Sequence, residues 1–317
     1  MSDSVERRFR RALGTLALLA VPVAVVAVPA VPVVALLGPS GVGAVPVGVP
    51  AGLLAAGVVG LVGSAALGPV LFDRRVAGLP EAELDDRPAD RIEAMAADVG
   101  VDAPATTVVR ADAANVAVAD GYRGARLVVS TRLLALPRAD RDAAIRHALA
   151  RIRTRGGALT TAVLPALAAV ETVALLATLL VGRRSDRTDA DRRVNRIHGY
   201  EPDRERVPPT AYAVAGACCL VPLLPAWGPA ALGDRLAVSG GRRRADALVA
   251  RAGQTERDGL GNAVAFAGEA AGATEWPPLF DRLSLVSMAD AETGRVRGTS
   301  RQEARIRLAR LRSKRAL

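Results

Sequence analysis

The sequence predicts an α+β membrane protein that is mostly helical, with about four hydrophobic segments and a small β-sheet beside a helix that carries His147. Three observations lead to this prediction. Long uncharged runs alternate with segments rich in Arg and Asp. Each of these runs is long enough to cross about 30 Å of hydrocarbon. Between the runs, short strand-like patterns stand beside helix-like patterns, as in an aqueous α+β domain.

The N-terminal region predicts a membrane hairpin. Residues 1–11 form a basic tail, and residues 12–72 contain two apolar runs, 12–37 and 45–72, joined by a short uncharged turn. Arg residues precede the first run and directly follow the second. The positive-inside rule therefore places both ends of the hairpin in the cytoplasm. We expect a multi-pass protein of the cell membrane whose aqueous domain is cytoplasmic.

Residues 158–233 predict a second hydrophobic hairpin, with runs 158–182 and 209–233 on either side of a charged loop, 183–208. If both runs span, the loop lies outside the cell, but its many Arg residues argue against that side. A re-entrant or partly buried hairpin is the alternative. Glu171 is the one charge in the first of these runs, and pairing with an Arg or contact with water is favoured over an intramembrane function.

The first aqueous region, residues 73–157, begins with a helical pattern that Gly100 should end. The apolar residues on one face of this helix are Ile92, Met95 and Ala96. Two strand patterns follow, "ATTVVRA" and "ARLVVST", with the turn "DGYRG" between them. A further helix should start near Arg138 and continue through His147.

The last region, residues 234–317, predicts helices separated by Gly-rich and Pro-rich breaks and a basic C-terminus. Ala304, Leu308 and Leu311 share a helical face amid Arg, which fits either a helix lying on anionic lipid or a docked helix with a solvated basic face.

The formal net charge is +10, but no aromatic residues interleave the Arg clusters. Nucleic-acid binding is therefore not expected. The adjacent Cys218 and Cys219 predict neither a disulfide nor a zinc site.

The order of these segments resembles the HtpX-type membrane zinc metallopeptidases, relatives of the CAAX prenyl proteases, over nearly the whole chain. Local matches accompany the order. "NVA" at 115–117 stands where that family has Asn-Ala-Phe, and Thr131, Leu133 and Leu134 keep its "T-x-G-L-L" turn with Arg132 in place of Gly. "SGGRRRADALVARAG" resembles the helix with the Arg-Glu-Tyr-x-Ala-Asp motif. Arg305 and Ile306 match the closing segment of the family.

The resemblance implies a gluzincin-like fold and a zinc site of the H-E-x-x-H type, in which two His residues at i and i+4 bind Zn²⁺ and the Glu acts as general base. His147 stands at the first ligand. Ala148 replaces the general base, and Arg151 replaces the second ligand with a fixed positive charge. Ala245 falls at the third ligand, with Asp246 beside it as a substitute only if its register is shifted. No catalytic residue and no cofactor are therefore expected.

The resemblance also implies a substrate-binding strand edge near Asn115, which could hold an extended peptide by strand addition. The strand residues of this predicted edge are Leu127, Val128, Val129 and Ser130. The expected function is that of a catalytically inactive HtpX-like membrane protein that binds or regulates in membrane-protein quality control. Its expected partners are the lipid bilayer and either unfolded membrane proteins or an active protease relative.

Two alternatives remain open at this stage. The first is an active membrane zinc metalloendopeptidase with an atypical ligand set, although the chain has only one other His, His198. The second is a membrane protein without protease ancestry, such as a transport or anchoring subunit. A fold without a sheet beside the His147 helix would favour this second alternative.

Overall fold

The chain forms a bundle of long apolar helices and a mixed α/β region in a computed structural model. The residues that the structure describes are 3–37, 48–82, 86–182, 209–220, 224–269, 276–287 and 300–313. The helices within them are α1 (Asp3–Leu37), α2 (Gly48–Ala77), α3 (Asp86–Val99), α4 (Thr131–Leu134), α5 (Arg138–Arg153), α6 (Gly156–Gly182), α7 (Pro209–Leu220), α8 (Leu224–Gly233), α9 (Ser239–Ala252), α10 (Gln254–Glu269) and α11 (Ser300–Arg312).

Three helices are long and apolar enough to cross a membrane, as the first three hydrophobic runs predict. The candidate spans are Arg8–Ala27 in α1, Leu54–Ala77 in α2 and Gly156–Leu176 in α6. Large apolar side chains on their outer faces are exposed, among them Leu16, Leu54, Val59, Val62 and Leu175. An apolar surface of this kind on long helices fits contact with lipid.

Small residues let these helices pack closely. On α2, a β-carbon added at Gly60 would lie 2.6 Å from the carbonyl oxygen of Pro22 in α1. One turn further, the Ser64 hydroxyl donates a 2.8 Å hydrogen bond to the carbonyl of Ala162 in α6. A β-carbon added at Gly68 would lie only 2.0 Å from the Thr161 carbonyl oxygen of α6. Backbone contact through small residues is typical of membrane helices, where hydrophobic association between helices is weak.

The fourth predicted run does not form one long helix in the described residues. It forms α7 and α8, of 12 and 10 residues, and the predicted charged loop 183–208 lies outside the described residues. Helix α8 continues without a break through a π-helical turn, Asp234–Val238, into α9. Of the four predicted hydrophobic segments, three therefore contain a candidate span in the part of the chain that the structure describes.

A four-stranded mixed sheet lies in the aqueous region. Its strands are β1 (Glu81–Ala82), β2 (Ala105–Val109), β3 (Val116–Ala119) and β4 (Arg126–Ser130). Their order is β1-β2-β4-β3, with β2 and β4 parallel and the other two pairs antiparallel. The two predicted strands correspond to β2 and β4, and the turn between them is present, with Gly124 at a positive φ of 90°. The strands β1 and β3 were not predicted.

The sheet packs against the helix that carries His147, as predicted. Helix α5 contacts β3 on one side and α3, α9 and α10 on its other faces. The predicted face of α3 is buried, with Ile92, Met95 and Ala96 in the main core, and Gly100 ends this helix at a φ of 76°. Helix α5 is thus held on several sides, which fixes the positions of its polar residues.

Candidate functional site

The structure brings His147 of α5 and Asp246 of α9 together in the interior. Both side chains are buried, and Nδ1 of His147 lies 3.0 Å from Oδ1 of Asp246. Asp246 thus faces His147, whereas the resemblance puts its neighbour Ala245 at the third-ligand position. Its neighbour Ala245 is also buried, but it offers no ligand atom.

Asp246 is bound by a third residue, Arg307 of α11. The Arg307 guanidinium donates to both carboxylate oxygens of Asp246, at 2.6 Å and 3.1 Å, and it also donates to the Leu285 carbonyl. This two-pronged geometry is the strong form of an Arg–carboxylate pair. The carboxylate that could have been a metal ligand is thereby committed to an internal ion pair.

The charge states at this pair follow from burial and from the neighbouring cations. Burial, together with the charges of Arg307 and Arg151, lowers the pKa of His147 to about 4 against the opposing effect of Asp246. Burial alone would raise the pKa of Asp246, but Arg307 and His147 outweigh it and hold this pKa well below its usual value. At neutral pH, His147 is therefore uncharged and Asp246 is ionised.

Arg151 lies one turn after His147 on α5. It is 2% exposed, and its guanidinium donates to the backbone carbonyls of Arg282, Leu283 and Ser284. The Arg151 guanidinium is thus bound by backbone that lies far from it in the sequence. Ala148, the residue after His147, is buried and carries no functional group.

We call residues 281–286 the covering segment, because they lie over the outer edge of β3. The Leu285 amide donates to the Val116 carbonyl at 2.8 Å, and the Val118 amide donates to the Leu283 carbonyl at 3.1 Å. Ala117 and Ser284 form an antiparallel bridge between these two hydrogen bonds. The covering segment therefore occupies β3 as a short added strand would.

Each of the six carbonyls of the covering segment accepts a hydrogen bond from a buried side chain. Arg242 donates to the carbonyls of residues 281 and 284. Arg151 donates to the carbonyls of residues 282, 283 and 284. Arg307 donates to the carbonyl of residue 285, and Asn115 donates to that of residue 286. An unpaired buried carbonyl is costly, and these donors remove that cost. The outer edge of β3 is thus covered by the protein's own backbone, held as an extended peptide would be held.

Asn115 acts as a clamp at the end of this arrangement. Its Nδ2 donates to the Val286 carbonyl at 2.7 Å, and its Oδ1 accepts from the amides of Val116 and Val286. The Ser130 hydroxyl oxygen accepts from the Asn115 amide and from the Leu133 amide, which also caps α4. Asn115 therefore lies at a strand edge, as predicted, but the covering segment already occupies that edge.

The predicted edge at Leu127, Val128, Val129 and Ser130 is wrong. These residues belong to β4, which lies between β2 and β3 and is paired on both sides. The sequence pattern shows that this segment is a strand, but strand order depends on non-local pairing. The missed β3, which is only four residues long, takes the outer position instead.

Glu171 is paired with an Arg, as the sequence analysis favoured. Arg282 of the covering segment lies 2.7 Å from Glu171 of α6 and binds both carboxylate oxygens of Asp234, at 2.9 Å and 3.1 Å. Asp234 begins the π-helical turn between α8 and α9. This ionic cluster ties the covering segment to two helices of the apolar bundle.

The residues around His147 do not fit a zinc ion. A zinc site needs three or four ligands from His, Cys, Asp or Glu, and the described residues hold no group of three such side chains placed to share a metal. His147 and Asp246 supply two, and Asp246 is bound by Arg307. The other His of the chain, His198, lies outside the described residues. Arg307 and Arg151 bring positive charge to the place where a cation would bind.

The residues that sequence reasoning missed are the arginines Arg242, Arg282 and Arg307. Nothing in the local pattern of Arg242 and Arg307 distinguishes them from arginines on a solvated helix face, since both lie in segments rich in Arg. Arg282 instead stands in the largely apolar stretch "LFDRLSLV", and this charge in an apolar context is the one signal that could have marked it. Comparison with family models, with curated proteins and with solved structures found no match to this chain.

Proposed function

We propose that this chain is an HtpX-like membrane protein that has lost hydrolytic chemistry and acts by binding, in the regulation of membrane-protein quality control. One observation carries the proposal. The outer edge of β3 is occupied by the covering segment, and Arg151, which donates to three carbonyls of that segment, stands where the resemblance expects the second metal ligand. The apolar outer faces of α1, α2 and α6 support the membrane setting.

The chemistry supports a binding role over hydrolysis. Peptide hydrolysis by the mechanism of the resemblance needs a general base beside the first ligand, and Ala148 has none. It also needs an accessible strand edge for the substrate, and the outer edge of β3 carries the covering segment. A protein partner would therefore bind either by displacing the covering segment or at the apolar helices. The partners that we propose are unfolded membrane proteins or an active protease relative.

The test is an incubation of the full-length protein, in detergent, with an unfolded membrane-protein fragment that carries a fluorophore at each end. We expect the fragment to bind and to remain intact, with the same result in the presence of a zinc chelator. The variant His147→Ala should bind equally well. Cleavage that the chelator and His147→Ala both abolish would contradict the proposal. Absence of binding to the fragment and to any co-expressed protease would also contradict it.

The active metallopeptidase is the second candidate, supported by the inward position of Asp246 beside His147. It requires Arg307 to release Asp246 and a further ligand to approach. Zinc per chain, measured on protein purified in detergent, separates the two candidates. Near-stoichiometric zinc that disappears in both His147→Ala and Asp246→Ala would favour the enzyme, and a chain without zinc favours the binding role.

A further inference from the structure

Helix α1 and the α8–α9 helix run antiparallel in backbone contact. A β-carbon added at Gly14 would lie 2.7 Å from Cβ of Leu236, and one added at Gly233 would lie 2.5 Å from a methyl carbon of Leu18. Moving toward the start of α1 therefore means moving toward the end of α9. Arg11, one turn before Gly14, comes beside the first turns of α9. The backbone of Ala237 also lies beside Gly14, and Arg244 follows Ala237 by two helical turns, so it lies on the same side of the α8–α9 helix.

Arg11 lies within electrostatic range of Arg244, and no carboxylate in the described part of the chain pairs with either of them. Burial lowers the pKa of Arg244, and the positive charge of Arg11 lowers it further. The Nε of Arg244 is buried and has no hydrogen-bond partner. By contrast, the neighbouring Arg10 is paired with Glu6 at 2.6 Å. Two cations at this range without an acid favour an anion between them.

We propose that Arg11 and Arg244 bind the phosphate of an anionic lipid head group. Arg11 lies near the N-terminal end of the candidate span Arg8–Ala27, where the head-group layer of a membrane would be. Leu13 and Leu16, on the following turn of α1, are exposed and offer an apolar surface for the acyl chains. The guanidinium fork matches the geometry of phosphate oxygens.

The shared chemistry is a phosphate oxyanion, and the apolar surface beside it selects a lipid over free phosphate. The site uses no residue of the His147 region. A test of this lipid site is therefore independent of the binding role proposed above. The site does require that the helices lie in a membrane.

The test is native mass spectrometry of the full-length protein in neutral detergent, titrated with dioleoyl phosphatidylglycerol or dioleoyl phosphatidylcholine. We expect phosphatidylglycerol to bind preferentially, and Arg11→Gln with Arg244→Gln to weaken its binding at least about tenfold. The matched control is Arg110→Gln with Arg251→Gln, which removes the same charge from two exposed positions. This control should bind the lipid like the wild type.

Three results would overturn the proposal. One is equal binding of phosphatidylglycerol by the wild type and the Arg11/Arg244 variant. A second is an equal loss in the control variant, which would mean general charge attraction. A third is stabilisation against heat by millimolar inorganic phosphate in the absence of lipid, because the ligand would then be soluble phosphate. If the double variant does not fold, Arg244→Lys, which keeps the charge but loses the fork, should still weaken the lipid binding.

Discussion

Arg307 holds Asp246 by both carboxylate oxygens, at 2.6 Å and 3.1 Å, while the other side of Asp246 faces His147 at 3.0 Å. A guanidinium is thus the buried positive partner of this carboxylate. This relationship leads to the first two predictions.

Loss of Arg307 should leave a buried, unpaired carboxylate. We expect Arg307→Leu to lower the free energy of unfolding by about 3–5 kcal/mol, the usual effect of removing one partner of a buried pair. Denaturation of the detergent-solubilised protein measures this change. Adding Asp246→Leu to this variant should recover much of the loss, because no unpaired charge then remains. A double variant as unstable as the single one would show that the ion pair is not the cause.

The pH dependence of stability should report His147. The pKa of His147 is about 4 in the folded protein and about 6.5 when unfolded. The unfolded chain therefore binds a proton between these values that the folded chain does not, and stability should fall as the pH drops from about 6.5 to about 4. The ionised Asp246, with its depressed pKa, contributes stability that is lost at still lower pH.

Unfolding of the wild type and His147→Gln from pH 7 to pH 4 checks this prediction. The wild-type stability should decline more steeply in that interval, by on the order of 3 kcal/mol in total at its lower end. Below about pH 4, where carboxylates such as Asp246 titrate, the two curves should run in parallel. Parallel curves between pH 6.5 and 4 would mean that protonation of His147 does not destabilise the folded protein.

Asn115 should be needed to keep the covering segment in place. Asn115→Ala removes the donor to the Val286 carbonyl and the acceptor for two backbone amides, which should cost about 1–3 kcal/mol for each buried group left unpaired. Hydrogen exchange at the Leu285 amide should accelerate more than exchange in α5. Thr106→Ala, a change in the same sheet, should leave the exchange at Leu285 unaltered. Equal acceleration in both elements would indicate general destabilisation.

Two glycines of α2 should respond in opposite ways to the same change. At Gly68 a β-carbon would lie 2.0 Å from the Thr161 carbonyl oxygen, whereas at Gly63 it would meet nothing within 4 Å. We expect Gly68→Ala to destabilise by about 1–3 kcal/mol, because α2 and α6 must separate. Gly63→Ala should be neutral or stabilising by about 0.5–1 kcal/mol, since alanine favours the helix. Thermal unfolding in detergent measures both, and equal effects would contradict the close packing of α2 and α6.

The parts of the fold that follow local rules could be predicted from the sequence. The apolar runs of α1, α2 and α6, the buried face of α3 and the turn at Gly124 depend on composition, on period and on φ preferences. The strand order did not follow from such rules, because β4 and its neighbours pair across loops of variable length. A short strand such as β3 also lacks enough residues to show a period of two.

The site depended still more on distant residues. Arg151 was interpreted as a charge that would repel zinc, and the sequence held no sign that its partners are carbonyls 131 to 133 residues away. The resemblance puts Ala245 at the third-ligand position and admits Asp246 only with a shifted register, whereas in the structure Asp246 faces His147 at 3.0 Å. Its ion pair with Arg307, 61 residues further along, could not be derived from spacing.

The covering segment has a consequence for the order of synthesis. Val286 follows Asn115 by 171 residues, so β3 is made long before the chain that will cover it. At translation rates of about 5–20 residues per second, this interval is roughly 10–30 s. During that time the strand has an open side of the kind that pairs with other chains. The newborn protein is therefore most exposed to mispairing before its last third is complete, and chaperone demand should be highest then.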